Sequence, residues 1–235
     1  ERLRDAPPPD RLFSWLVTLG ITAIALVIRL VNLGYPKYLV FDETYYPKDA
    51  WSLLKFGYER NWPDTANDAI VAGNPNVFSD TAAFIVHPPV GKWLIAFGEA
   101  MFGMNSFGWR FMPMIFGVLL VVVTIRLARR LSRSTLIGAI AGILLTFDGL
   151  AFTMSRIGLL DIFQAFFIVA AVAALVADRD SYRHKLADLL ERRGVPDFGG
   201  RFGPIVWWRP WRWVSGLMWG LAIGTKWNSV YVLAA

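Results

Sequence analysis

Residues 11–33 read RLFSWLVTLGITAIALVIRLVNL, and a short way on residues 41–46 read FDETYY. The first stretch is apolar over the roughly 20 residues that a helix needs to cross a bilayer. The second places two adjacent carboxylates, Asp42 and Glu43, just past the far end of that span. Carboxylates held close to hydrocarbon are costly to desolvate and mark a site with a task. The pair therefore points to catalysis at a membrane surface, on a substrate carried by lipid.

The rest of the chain extends this reading. Hydrophobic residues make up 55% of it, mean hydropathy is +0.43, and 11 Trp and 17 Phe are present, which fits a polytopic membrane protein better than a soluble domain. The absence of cysteine excludes disulfides and thiolate metal sites. The first span is longer than a signal-peptide core and has no small-x-small cleavage site before Gly34-Tyr35-Pro36. The chain begins at Glu1 and stops at Val232-Leu233-Ala234-Ala235 inside an apolar run, so it is expected to be the N-terminal part of a longer protein.

Runs of spanning length fall at 12–33, 107–127, 136–154, 157–177 and 214–235. Basic residues orient them. Arg2, Arg4 and Arg11 precede the first; Arg126, Arg129, Arg130 and Arg133 separate the second and third; a long basic segment from Arg179 to Arg212 separates the fourth and fifth. If the spans alternate, all three basic segments lie on one side, and the positive-inside rule puts that side in the cytoplasm. The net charge of +6 is thus a topology signal and not one for nucleic acid. The expected fold is an all-α helix bundle with about five transmembrane helices. Its parts are a cytoplasmic N-terminus and first span (1–33), an external loop (34–106), spans two to four (107–177), a cytoplasmic loop (178–213) and the start of a fifth span (214–235).

The external loop carries eight acidic residues against five basic ones. An apolar stripe from Ala50 to Phe56, opening just after Pro47, predicts a short amphipathic helix along the membrane surface. Residues 61–80 read as loop, residues 90–101 as a helix too short to span, and residues 181–192 as a short helix in the cytoplasmic segment. Trp207-Trp208-Arg209-Pro210-Trp211-Arg212-Trp213 reads as an interfacial belt.

Several side chains could do chemistry. Asp42 and Glu43 sit among Phe41, Tyr45 and Tyr46, where a carboxylate can act as general base, although Glu43 could equally favour a helix start. In His87-Pro88-Pro89-Val90-Gly91-Lys92, two prolines set a helix start, and Lys92 in its first turn opposes the helix dipole unless an anion is bound. Snorkelling is the plain alternative for Lys92, and a capping role is the safer one for His87. Arg110 and Arg156 stand at outer ends of spans, against the charge rule, and invite a carboxylate or a phosphate. Asp161, about one and a half turns past Arg156, should lie inside the bilayer edge and need a partner. Lys226 lies within the fifth span, where a lysine is a functional candidate. One nearby histidine and scattered carboxylates do not make a metal set.

The stretches Phe41-Asp42-Glu43-Thr44-Tyr45-Tyr46, His87 to Lys92, Phe107-Gly108-Trp109-Arg110, Ser155 to Asp161 and Gly220 to Trp227 occur in one order across nearly the whole chain. In that order they resemble the protein O-mannosyltransferases, most closely the actinobacterial ones. The resemblance implies a GT-C-type bundle that transfers mannose from polyprenyl-phosphate mannose to Ser or Thr hydroxyls of secreted proteins, with inversion. It implies Asp42 as general base and Glu43 as a positioning acid. Arg110 would hold the acidic pair, and charge and depth make Lys92, Arg110, Arg156 and Lys226 candidates for the phosphate, with His87 and Asp161 in support. No cofactor is implied beyond the lipid-linked donor. Expected surroundings are the bacterial plasma membrane and its lipids, with the active site external and the secretion translocon as a conceivable neighbour. A related enzyme moving another sugar to a lipid or glycan would share these features. A lipid transporter would instead place its charges near the midplane.

Overall fold

The computed structural model describes residues 10–196, 198 and 204–234. Arg2, Arg4 and Arg201, three of the basic residues used above to assign topology, lie outside them. Among the described residues ten α-helices follow in order: α1 (Arg11–Leu30), α2 (Tyr46–Phe56), α3 (Ala66–Val71), α4 (Val90–Phe102), α5 (Ser106–Ser132), α6 (Thr135–Phe147), α7 (Gly149–Met154), α8 (Asp161–Arg193), α9 (Pro210–Ile223) and α10 (Ser229–Ala234). A 3₁₀ turn at Phe41–Thr44 precedes α2. Among the described residues strand pairing is limited to one antiparallel bridge between Arg60 and Ala82. Three helices, α1, α5 and α8, are long and apolar enough to cross a membrane.

α5 is the central element, packed on α1, α4, α6 and α8, while α9 lies along α8. Polar side chains cap the starts of α5, α6 and α7. Asn105 accepts from the amides of Phe107 and Gly108, Ser134 from that of Ile137 and Asp148 from that of Ala151. The α5–α8 seam is aromatic: Phe116 meets Phe163, Phe166 and Phe167 edge-on at 4.9, 5.0 and 5.6 Å between ring centres. α4 and α5 approach so closely at Gly98 and Gly108 that a methyl group on Gly108 would lie 2.1 Å from the Gly103 carbonyl oxygen.

The bundle has two chemically distinct ends. At one, Asp10 beside the start of α1 pairs with Arg129 of α5 at 2.6 Å, Arg130 pairs with Asp180 of α8 at 2.7 Å, and Arg209 before α9 holds Asp178. The basic segments that the sequence separates are thereby gathered in space. At the other end lie residues 31–49, the start of α4 and the starts of α5 and α8. α9 runs antiparallel to α8, from Arg209 on Asp178 to Lys226 on Asp161.

Four expectations change. The run 136–154 is not one helix: it breaks at Asp148, which ends α6 and caps α7. The buried guanidinium of Arg29 spans that break, donating to the Leu145 and Thr146 carbonyls at 3.4 and 3.2 Å and to Ser155 Oγ at 2.9 Å. Freed carbonyls in an apolar bundle must find donors, so the break and the arginine belong together. The run 214–235 likewise breaks, at Gly224–Asn228 between α9 and α10. Residues 181–192 form no separate helix but prolong α8 to Arg193. The 61–80 loop contains α3. The helix expected after Pro47 is α2, whose stripe divides: Ala50 and Trp51 are buried, whereas Leu54 and Phe56 stay exposed.

Gly108→Ala should destabilise the protein by about 1–3 kcal/mol or more, because backbone cannot yield as a side-chain tip can. Gly20→Ala, with open space around it, should be neutral or stabilising by up to ~1 kcal/mol. Thermal melts of the two variants in detergent test the contrast.

Candidate active site

The turn that carries the acids is fixed first. Phe41 takes a left-handed backbone conformation (φ 55°), uncommon for a bulky side chain, and swings the chain into the 3₁₀ turn. Glu43 points inward and is fully buried. Its Oε2 accepts from the Val40 amide at 2.9 Å and its Oε1 from the Gly158 amide at 2.8 Å. Arg110 closes on it with two parallel bonds of 2.7 Å, Nε to Oε1 and Nη2 to Oε2. The remaining guanidinium protons go to the carbonyls of Pro36 at 2.8 Å, Tyr38 at 3.2 Å and Leu33 at 3.4 Å. Asp42 turns the other way. It is partly exposed, and among the described residues no hydrogen bond or ion pair engages its carboxylate.

The other motif stretches meet this turn. Gly91 packs where a Cβ would stand 2.8 Å from Leu160 and 2.9 Å from Thr225, so only a glycine admits both neighbours. The first amide of α4, Val90, donates to the Gly224 carbonyl at 3.0 Å. Lys226 follows that turn and pairs with Asp161 at 2.8 Å. Gln164 donates to Asn228 and Ser229 beside it, at 2.6 and 2.8 Å. Five stretches spread from residue 41 to residue 227 thus form one cluster.

Within the cluster Tyr46 and His87 lie with ring centres 6.0 Å apart. Burial, reinforced by the charges of Asp42, Asp161 and Asp49, pushes the Tyr46 phenol up to about 12. Burial and the nearby ammonium groups of Lys226 and Lys92 hold His87 below the ordinary histidine range, so it is neutral at pH 7. Its Nδ1 is buried without a hydrogen-bond partner among the described residues. Both rings feel the charge of Asp42.

Three sequence expectations need correction. Lys92 does not face an anion site: its ammonium is buried between Asp49 at 2.9 Å and Glu59 at 2.8 Å, which supply the negative charge that a phosphate was expected to bring. Arg110 is saturated by Glu43 and three carbonyls and holds that acid alone, not the pair; Glu43, so engaged, has no oxygen facing an acceptor. Asp161 is not a turn and a half inside a helix, since residues 155–160 are irregular and Asp161 begins α8. It is half exposed there, and favourable to the helix dipole. Arg156 donates to the Val31 carbonyl at 2.7 Å and lies over Phe152 at 5.0 Å, and among the described residues no carboxylate pairs with it. Sequence reasoning passed over Tyr46, Asp49 and Glu59. Tyr46 and Asp49, one turn apart on α2, carried a helical signal; Glu59 reaches Lys92 only through the fold.

Glu99 of α4 stands apart. It is fully buried, neither carboxylate oxygen has a hydrogen-bond partner among the described residues, and burial raises its pKa well above the usual range.

A cluster of this kind, at one end of an apolar bundle, defines an integral membrane protein with a polar site at the mouth of its helices. Residues 19–187 match the family described as dolichyl-phosphate-mannose-protein mannosyltransferase, and the chain belongs to that family. It is 45% identical over 232 residues to a polyprenol-phosphate-mannose–protein mannosyltransferase of Mycobacterium tuberculosis, covering 97% of this chain and 40% of that protein. The protein of the same name from Corynebacterium glutamicum is 40% identical, with 97% and 43% covered. Dolichyl-phosphate-mannose–protein mannosyltransferase 4 of Saccharomyces cerevisiae is 25% identical, with 99% and 27% covered. The chain therefore spans about two-fifths of the length of the bacterial relatives it matches.

Two outcomes follow. Arg110→Lys and Glu43→Gln should each cost roughly 3–5 kcal/mol, the usual penalty for breaking a buried pair, whereas Asp42→Asn should stay within about 0.5 kcal/mol of wild type; denaturation followed by circular dichroism separates them. Glu99, protonated in the folded protein and ionised when unfolded, binds more protons folded. Its contribution to stability is therefore complete below the ordinary carboxylate range and is lost as pH rises above it. Melting temperature should fall as pH rises through and beyond the ordinary carboxylate range, and Glu99→Gln should flatten that slope.

Proposed function

We propose that the protein of which this chain is part transfers mannose from polyprenyl-phosphate mannose to Ser or Thr hydroxyls of proteins, with Asp42 as general base. The observation that carries the reading is the division of labour between adjacent acids. Glu43 is locked to Arg110 and Gly158, and that lock presents Asp42, uncommitted, to the mouth of the bundle. Asp49 and Glu59 share Lys92, and Asp161 has Lys226. Asp42 is the carboxylate of the cluster left free to take a proton.

In this reading the acceptor oxygen attacks the anomeric carbon as Asp42 removes the hydroxyl proton. The bond from that carbon to the phosphate oxygen breaks, and its electron pair leaves with polyprenyl phosphate. One displacement inverts the anomeric configuration. The departing phosphate needs positive charge, which in this reading comes from Lys226 and Arg156, since Lys92 and Arg110 are spent within the fold. Lys226 would exchange Asp161 for phosphate, a modest cost because Asp161 is half exposed and would be hydrated. Tyr46 stays protonated and His87 neutral, so both could donate or accept hydrogen bonds to sugar hydroxyls without adding charge.

The same reading gives the topology. The basic end of the bundle faces the cytoplasm of a bacterial plasma membrane, and the site faces outward, where lipid-linked sugars serve in place of nucleotide sugars. The full-length protein meets secreted acceptors there, in a setting shared with the secretion machinery.

Membranes carrying the full-length protein, labelled polyprenyl-phosphate mannose and a Thr-rich peptide test this. Asp42→Asn should lower transfer about 10²–10⁴-fold with donor binding kept. Lys226→Gln should raise the donor KM more than it lowers kcat. Unchanged transfer in Asp42→Asn would remove that residue from the reaction. Label appearing in lipid or glycan, and not in peptide, would move the proposal to a related transferase.

A further inference from the structure

The basic end of the bundle holds a second feature that mannose transfer does not use. Between the strap that precedes α9 and the outer face of α9 lies a cavity of about 730 Å³. Ile205 and Trp207 of the strap form one wall and Trp213 and Leu217 of α9 the other. Its floor is Gly216, around which there is open space. Its charged edge is Arg209 and Arg212.

We propose that this groove is a binding site for one anionic phospholipid of the adjoining leaflet, its phosphate on Arg212 and an acyl chain along Gly216. Charge is the first argument. Arg209 and Arg212 share a single carboxylate, Asp178, which leaves one positive charge over. Arg209 is largely buried against Asp178 and lies over Tyr182 at 4.3 Å, whereas the Arg212 side chain is 62% exposed and reaches Asp178 only at 3.3 Å. Lys185, close by, donates to the Trp208 carbonyl and adds a further cation. Depth is the second. Asp178 marks where α8 changes from apolar to charged, and Trp207, Trp208 and Trp213 stand exposed at that level, as aromatic side chains do at the boundary of hydrocarbon and headgroups. An apolar slot that opens at this depth onto an unbalanced arginine matches the two halves of an anionic lipid, and basic pockets between helices on the positive side of a membrane take such headgroups. The inference needs only that the chain is embedded in a membrane and is independent of the transfer reaction.

The test uses the full-length protein in neutral detergent, titrated with dioleoylphosphatidylglycerol or dioleoylphosphatidylcholine and read by native mass spectrometry. Wild type is expected to bind the anionic lipid at least about ten-fold more tightly, as desolvated charge pairing allows. Arg212→Gln leaves Arg209 on Asp178 and should abolish that preference while zwitterionic binding stays. Gly216→Leu, whose Cβ would stand in open space, extends a side chain into the groove and should weaken both lipids. Trp207→Ala removes a wall whose side chain touches no core, so it reports on the groove even if either other variant folds poorly. Equal affinity of wild type for the two lipids, or anionic binding unmoved by all three variants, overturns the proposal.

Discussion

The pairing of Arg110 with Glu43 is the constraint on which the rest of the site depends. An arginine and a glutamate so thoroughly buried would be expensive apart, and together they are tolerable only because every proton and lone pair is used. Arg110 reaches Glu43 by two bonds and three carbonyls of residues 33–38 by the rest, while Glu43 also accepts the amides of Val40 and Gly158. One ion pair therefore ties the exit of α1, the entry of α2, the start of α5 and the irregular stretch before α8. Removing either partner leaves a buried charge and four loosened segments.

This arrangement also explains why two acids stand side by side. Successive residues in a tight turn project in different directions, so an acid anchored inward leaves its neighbour directed outward. Asp42 inherits a fixed position from a residue whose own carboxylate is wholly engaged within the fold. Phe41, at φ 55°, supplies the sharp entry that makes the turn tight. The second ion cluster, Asp49–Lys92–Glu59, does the same for α4: it fixes the helix whose first amide holds the Gly224 carbonyl and hence the turn that carries Lys226. Buried charge here serves geometry, and under the proposed mechanism the charges that remain partly exposed are the ones that meet the substrate.

How much of this was legible in the sequence depends on the range of the interaction. Hydrophobic runs located α1, α5 and α8 because a spanning helix is a property of consecutive residues. The same runs concealed the breaks at Asp148 and at Gly224–Asn228, because apolar composition stays high across a break that a distant arginine or an adjacent amide makes affordable. Arg29, which spans the first break, reads in sequence as one more charge near the end of a span. The depth of Asp161 was misjudged for a related reason: counting turns from Arg156 presumes a helix that residues 155–160 do not form.

Cations were the least legible. Lys92, Arg110, Arg156 and Lys226 all read as phosphate candidates, since charge and depth are alike for each. What separates them is which carboxylates the fold has brought within reach and how deeply it buries each pair, and that is a long-range property: Glu59 lies 33 positions from Lys92 and Glu43 lies 67 from Arg110. A lysine between two buried carboxylates is a fastening. A lysine on one half-exposed carboxylate, as Lys226 is, can release it to water when a better anion arrives. The same criterion applied at the opposite end of the bundle separates Arg209, enclosed with Asp178, from Arg212, whose loosely held charge faces the groove. Across the molecule, then, the distinction between a cation that builds the fold and one that can meet a ligand lies in whether the cation and its partner are buried together.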